Sequence, residues 1–195
     1  MALADYQIEH MAREFGMIDP FRPEQISRGV ISSGVSSHGY DATVGREVKW
    51  LNPPPGVVID PKNSIEAHFE VLPIQKDEHG EFVVVPPLGF VLTHTVERFK
   101  IPRNIIAECL GKSTYARNAL SIFVSPLESE WAGQVTLEYF NAARYNPSRL
   151  YVGEGGCQFL FHQGLSPKTS YADRKGKYMD QVGVTLAKVK EAQSK

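Results

Sequence analysis

The sequence predicts a mainly β protein, a β-barrel or double-sheet roll with a short N-terminal helix and few other helices. Three observations predict it. From Ile26 onward the apolar residues fall into short runs, many of them alternating with polar residues. Gly, Pro, Asn and Asp punctuate those runs at close intervals, as in Asn52-Pro53-Pro54-Pro55-Gly56 and Gly153-Glu154-Gly155-Gly156. No long amphipathic helix lies between them, which disfavours a parallel α/β fold.

In chain order, the first twenty residues have a helical pattern. Asp5 is placed to cap, Ile8, Met11, Ala12 and Phe15 recur at helical spacing, and Gly16 and Pro20 stop the run. A docked helix over 1–20 is expected. The strand expectations are Val30-Ile31, Tyr40 to Leu51, Val57 to Ile59, Phe69 to Ile74, Phe82 to Val85 and Phe90 to Val96. They continue with Ile105 to Leu110, Ser121 to Val124, Gln134 to Phe140, Leu150 to Val152 and Cys157 to Phe161. Lys76 to Glu81 reads as a solvated hairpin tip, and Lys188 to Lys195 as a polar, frayed tail.

A length of 195 residues is most simply one domain with a single sizeable core. The formal net charge of -1 provides no long-range attraction for nucleic acid or anionic membrane, so a polyanionic ligand must be met by locally concentrated cations. That favours a small ligand over a polymer. The first residues lack the order of a signal peptide, and no apolar run approaches the ~20 residues that span a bilayer. A soluble, cytoplasmic protein with no membrane partner is expected. The two cysteines, Cys109 and Cys157, sit in apolar runs and read as buried free thiols. No two of the six histidines stand at metal-ligand spacing, so zinc chemistry is not expected.

Two segments carry candidate chemistry. In Gly111-Lys112-Ser113-Thr114-Tyr115-Ala116-Arg117 the glycine frees backbone N–H groups to turn toward an anion, two hydroxyls add donors, and Lys112 and Arg117 bring charge. The same residues also read as a capped turn with Arg117 in a surface ion pair, and spacing does not separate the two. In Gln134 to Asn141, alternation puts Thr136, Glu138 and Phe140 on one face and Val135, Leu137 and Tyr139 on the other. Glu138 is then either solvated on an edge or held in a cleft. A carboxylate repels phosphate, so in a cleft it would act on a base or a water.

These segments, with Pro126-Leu127-Glu128-Ser129-Glu130-Trp131-Ala132-Gly133 between them, resemble the dCTP deaminase family of the dUTPase superfamily. Ser36-Ser37-His38-Gly39-Tyr40-Asp41, Ile101-Pro102-Arg103-Asn104 and Thr169-Ser170-Tyr171-Ala172-Asp173-Arg174 followed by Gly176-Lys177-Tyr178 extend the likeness from about Met11 to Lys188. The resemblance implies a dUTPase-like fold, a homotrimer with active sites between subunits, and hydrolysis of dCTP to dUTP and ammonia. It further implies magnesium on the triphosphate, no catalytic zinc, and inhibition by dTTP.

Carried over by residue, Lys112, Ser113, Thr114, Tyr115, Ala116 and Arg117 would contact the phosphates and organise the site. Thr136 and Leu137 would present backbone groups to the base. Glu138 would be the general acid/base, kept oriented and ionised by Arg117, with backbone dipoles near Val124-Ser125 holding the water. Gln158, Tyr171, Lys177 and Gln181 would complete the nucleotide site, 171–195 forming a lid and tail. Without the resemblance, Tyr171 reads equally as a packed aromatic and Lys177 as a solvated lysine. Many relatives carry Asp-Pro-Gly-aromatic before the catalytic strand, whereas this chain has Glu128-Ser129-Glu130-Trp131 and no aspartate between Arg117 and Glu138. That favours a deaminase that stops at dUTP. A dUTPase or bifunctional enzyme, and a nucleotide sensor without chemistry, are the alternatives.

Overall fold

The computed structural model describes residues 1–189. Helix α1 spans Asp5–Phe15 and ends where Gly16 takes a left-handed φ of 64°, a backbone that glycine adopts without penalty. It docks through Ile8 and Ala12, which are buried, whereas Phe15 is exposed. Asp5 is not the cap. It is the first helical residue, Ala4 occupies the cap position, and the Gln7 side chain accepts from the Ala4 N–H at 3.0 Å.

The strands that follow are β1 (Ile18–Asp19), β2 (Gly34–Ser36), β3 (Gly39–Thr43), β4 (Lys49–Leu51), β5 (Phe69–Val71), β6 (Gln75–Asp77) and β7 (Gly80–Val85). Then come β8 (Phe90–Lys100), β9 (Ile105–Gly111), the one-turn helix α2 (Ser113–Ala116), β10 (Leu120–Phe123), β11 (Ala132–Asn141), β12 (Ser148–Tyr151) and β13 (Gly155–Gln163). They form three sheets: β10-β11-β8-β4-β5 with β1 added on β8, β2-β3-β13-β9, and β12-β7-β6. The pairings are antiparallel, as short connections require. The mainly β expectation is met.

Several local expectations need correction. Val57 to Ile59 and Val30-Ile31 form no strand; Val58 is 87% exposed, because the prolines before it withhold ladder donors and no neighbouring strand lies alongside. The Tyr40 to Leu51 run is two strands, broken between Thr43 and Lys49. The Phe90 run does not stop at Val96 but continues to Lys100, past a register irregularity that sets Gln134 against Arg98 and Thr136 against His94. Inside it Glu97 is buried, accepting from the Thr43 N–H and hydroxyl at 2.8 Å and from the Tyr40 hydroxyl at 3.3 Å. Desolvation pushes its carboxyl above the usual range. Cys157 is buried but Cys109 only partly so, since β9 is the sheet's edge; both thiols are free. The frayed tail lies, from residue 190 on, outside the described residues.

One hydrophobic cluster joins the sheets, with Val91, Leu137 and Tyr139 from the first, Ala42 and Phe159 from the second, and Val83 and Leu150 from the third. Phe99 and Phe159 meet at 4.7 Å between ring centroids. Each such buried side chain contributes about 1.5–3 kcal/mol of transfer free energy. This core fixes β11, and with it the face that carries Glu138. No helix among the described residues is long and apolar enough to cross a membrane.

Candidate active site

Strand β11 alternates as its sequence requires, with Val135, Leu137 and Tyr139 buried and Thr136, Glu138 and Phe140 on the other, half-exposed face. That face forms one wall of a cavity of about 660 Å³, a size suited to a small ligand. Phe90 and Leu92 of β8, the Val124–Glu128 segment, the loop 59–69 and the C-terminal segment from Tyr171 complete it.

Glu138 lies across from Leu92 on one side and Phe123 on the other, so its strand neighbours are apolar. Among the described residues its carboxylate has no hydrogen bond or ion pair. Burial alone acts on it, pushing its carboxyl above the usual carboxylate range. The expectation that Arg117 holds it ionised is therefore not met within one chain. Arg117 caps the C-terminal end of α2, beside the Leu120 end of β10, while Glu138 faces Phe123 at the other end. Three residues of strand, ~10 Å, separate those ends.

The backbone of β11 is only partly paired. The Gln134 N–H donates to the Gln181 carbonyl at 2.9 Å and the Gln134 carbonyl accepts from Gln181 Nε2 at 2.8 Å, so both Gln134 groups point away from β8. By the two-residue period those of Thr136 point the same way. Pairing with β10 begins only at Glu138, so Thr136 faces a gap between Gln181 and the end of β10. Leu137 is fully buried, with its side chain in the core.

The C-terminal segment is docked as a strap. Tyr171 N–H donates to Ser129 O at 3.0 Å, Trp131 Nε1 to Tyr178 O at 3.0 Å, Asp180 N–H to Ala132 O at 2.8 Å and Gly183 N–H to the Gln134 side chain at 2.7 Å. Gly133 makes this approach possible. Its φ is +146°, and a Cβ there would stand 3.0 Å from Gln181 N. Tyr171 is held by its own turn: its hydroxyl accepts from Tyr178 N–H at 3.0 Å, and its ring fills the space a Cβ on Gly176 would need. Lys177 Nζ donates to Lys188 O. Glu128 pairs with Arg174.

The sequence-derived residues thus fall into two groups. Thr136, Glu138, Tyr171, Lys177 and Gln181 line the cavity together. Lys112 to Arg117 and Gln158 do not; they gather at the end of the second sheet, where Gln158 pairs with both Leu110 and Asp41. There Ser113, Thr114, Ala116 and Arg117 are exposed, and Gln158 donates to the Ser36 hydroxyl at 3.3 Å. Tyr115 is turned into the core, its hydroxyl accepting from Tyr151 N–H at 3.1 Å, so only its backbone remains for a ligand. Sequence reasoning missed the loop 59–69, which had been read in part as a strand. It also missed a clamp in which Lys49 bridges Glu47 at 3.1 Å and Glu66 at 2.7 Å, while Glu47 accepts from Val184 N–H at 3.1 Å. The clamp ties the loop to the strap. Its signal was only a lone Lys between two separated carboxylates.

A mainly β fold with a cavity of this size, walled by the Glu138 carboxylate and a stretch of strand edge, has the dimensions of a small-ligand site. Comparison narrows the class. A family model described as dCTP deaminase-like matches residues 2–164. The chain is 49% identical over 188 residues to a dCTP deaminase of Gluconobacter oxydans (strain 621H), covering 96% of this chain and 98% of that protein. It is 48% identical over 188 residues to one of Paramagnetospirillum magneticum (strain ATCC 700264 / AMB-1), with the same coverage. In fold it is similar to the crystal structure of 2'-deoxycytidine 5'-triphosphate deaminase from Agrobacterium tumefaciens, with a TM-score of 0.60 at 15% identity, covering 84% of this chain and 48% of that one. This chain belongs to the dCTP deaminase-like family.

Proposed function

We propose that this protein hydrolyses dCTP to dUTP and ammonia, as a homotrimer whose active sites combine the cavity of one subunit with the α2 turn of the next. The observation that carries the reading is Glu138, a carboxylate without a partner on the wall of a largely apolar cavity, beside the unpaired edge at Thr136. The full-length relatives named dCTP deaminase support the substrate. The separation of the two residue groups supports a shared site, because within one chain Lys112 and Arg117 of the α2 turn do not line the cavity that holds the carboxylate.

In the proposed reaction the pyrimidine lies against β11, with the Thr136 backbone reading its edge and Tyr171 and Gln181 closing over the nucleotide. Glu138 takes a proton from water as the oxygen attacks C4 and delivers it to N3, where it stays. The proton of the new C4 hydroxyl then passes through Glu138 to the amino group, which leaves as ammonia as the C4–N bond breaks and the C4 carbonyl forms, so dCTP and water become dUTP and NH₃. Positioned proton transfer of this kind is worth ~10²- to 10⁴-fold. Burial keeps Glu138 a strong enough base to take the proton, and a neighbouring subunit's Arg117 would favour its ionised form before attack. Val124 and Ser125 border the cavity, and backbone groups there would hold the water. Ser113, Thr114 and Arg117 grip the triphosphate, and Lys177 meets its far end.

Among the described residues no three His, Cys, Asp or Glu side chains converge to hold a metal ion. A magnesium ion carried by the triphosphate would neutralise phosphate charge, and the proton transfers are assigned to Glu138. Among the described residues Glu128 is engaged by Arg174 and Glu130 by Arg103, so neither carboxylate of that segment is free to activate water against the triphosphate; the proposed reaction stops at dUTP. dTTP, with the same sugar and phosphates, is expected to compete. The test is product analysis with dCTP and magnesium. Ammonia and dUTP in equal amounts, without pyrophosphate, are expected; nucleotide binding without ammonia would indicate a sensor, and pyrophosphate in step with ammonia a bifunctional enzyme.

A further inference from the structure

Lys112 opens the exposed turn, yet its side chain is only 10% exposed and its ammonium group is fully committed. Three acceptors surround Nζ: Asp41 Oδ2 at 2.6 Å, the Ser32 hydroxyl at 2.8 Å and the Ser32 carbonyl at 2.9 Å. A lysine has three N–H donors, so none is left over. The acceptors are themselves fixed. Ser32 is packed so tightly that a Cβ on Gly155 would lie 1.7 Å from its carbonyl oxygen, and the adjacent Ile31 N–H donates to Glu154 at 2.7 Å. Asp41 is 3% exposed and also accepts from Gln25 at 3.0 Å and from the Ser32 hydroxyl at 3.2 Å, while its Oδ1 is buried without a partner. Lys112 is thus the one cation in contact with a buried carboxylate among the described residues, and withdrawing it toward a phosphate would strand that carboxylate.

We infer that Lys112 is a buried anchor rather than a phosphate ligand, and that Asp41 is a positioning residue which, through Lys112, sets the Ser113–Arg117 turn for the triphosphate. The inference rests on the reading of that turn as the triphosphate grip. Asp41 and Ser32 come from a hairpin distant in sequence, so the pair ties the start of α2 to the β2–β3 region and fixes where the exposed hydroxyls and Arg117 stand. Neither residue touches substrate.

Two measurements test it. In a crystal structure of Glu138→Gln with dCTP and magnesium, where the pair is unaltered, Lys112 Nζ should stay within ~3 Å of Asp41 Oδ2 and beyond ~4 Å of every phosphate oxygen. A phosphate oxygen bonded to Nζ would overturn the anchor. In kinetics, Asp41→Asn and Lys112→Met should each raise the KM for dCTP ~10-fold or more with kcat within ~3-fold, and the double variant should be no worse than the poorer single, as for a coupled pair. A mere loss of folded protein would lower apparent kcat instead. If Lys112→Met raises KM while Asp41→Asn leaves it unchanged or lowers it, the freed ammonium is gripping phosphate directly and the inference fails alone. If Arg117→Ala leaves the affinity for dCTP, measured by calorimetry, unchanged, the reading of the turn fails and takes the inference with it.

Discussion

Gly133→Ala should loosen the strap that closes the cavity. An alanine Cβ would meet Gln181 backbone atoms at 3.0 and 3.1 Å, so backbone rather than a flexible side chain must give way, and a φ of +146° is itself unfavourable for alanine. Together these cost about 2 kcal/mol. The bonds that dock the strap on Ala132 and Gln134 are worth about 1 kcal/mol each, and they are opposed by a backbone ordering cost of similar size per residue. Docking is therefore finely balanced, and 2 kcal/mol shifts the docked-to-free ratio about 30-fold. Limited trypsin digestion at Arg174, Lys175 and Lys177 reads the free population directly, and should accelerate by that order. The KM for dCTP should rise toward the same factor, since Tyr171, Lys177 and Gln181 leave with the strap. Cleavage rate and KM both within twofold of the native protein would refute the assignment of the strap as part of the site.

Co-assembled trimers of Glu138→Gln and Arg117→Ala, each inactive alone, should recover about a quarter of native activity if sites are shared between subunits, and none if each site is contained in one chain. In an Arg117→Ala background, burial leaves the Glu138 carboxyl raised above its unfolded value of about 4.3, so the fold prefers the neutral acid. Stability should then fall, relative to the same protein with Glu138→Gln, as pH rises from that value through the raised one; a Tm gap that does not change with pH would contradict the desolvation argument. Tyr139→Phe removes a 2.7 Å hydrogen bond to a buried Gly156 carbonyl and should lower stability by about 1–3 kcal/mol, visible as a Tm loss of roughly 3–10 °C. An unchanged Tm would mean that the carbonyl finds another donor.

The strand pattern was legible wherever β-branched and aromatic residues alternate over several positions, as in β8, β11 and β13, because burying one face demands it. It failed where strands are short or polar. Ile18–Asp19 and Gln75–Asp77 are strands through their partners, not their own composition. Conversely Val57 to Ile59 have strand propensity but no ladder to join. Of the site, the alternation placed Glu138 and Thr136 on the open face correctly. Much of the rest of the cavity comes from the loop 59–69 and from the segment after Tyr171, which no local pattern connects to β11. The burial of Tyr115 and the engagement of Lys112 were equally hidden, since a turn rich in hydroxyls and cations looks the same whether its lysine faces solvent or a distant aspartate.

The account turns on Glu138 as the group that moves protons at the pyrimidine ring. The most direct measurement is ammonia release from dCTP by Glu138→Gln, with dCTP binding followed in parallel by calorimetry. The expected result is affinity within a few-fold of the native protein and turnover reduced by ~10²-fold or more. Turnover near the native rate in a variant that binds dCTP normally would contradict it.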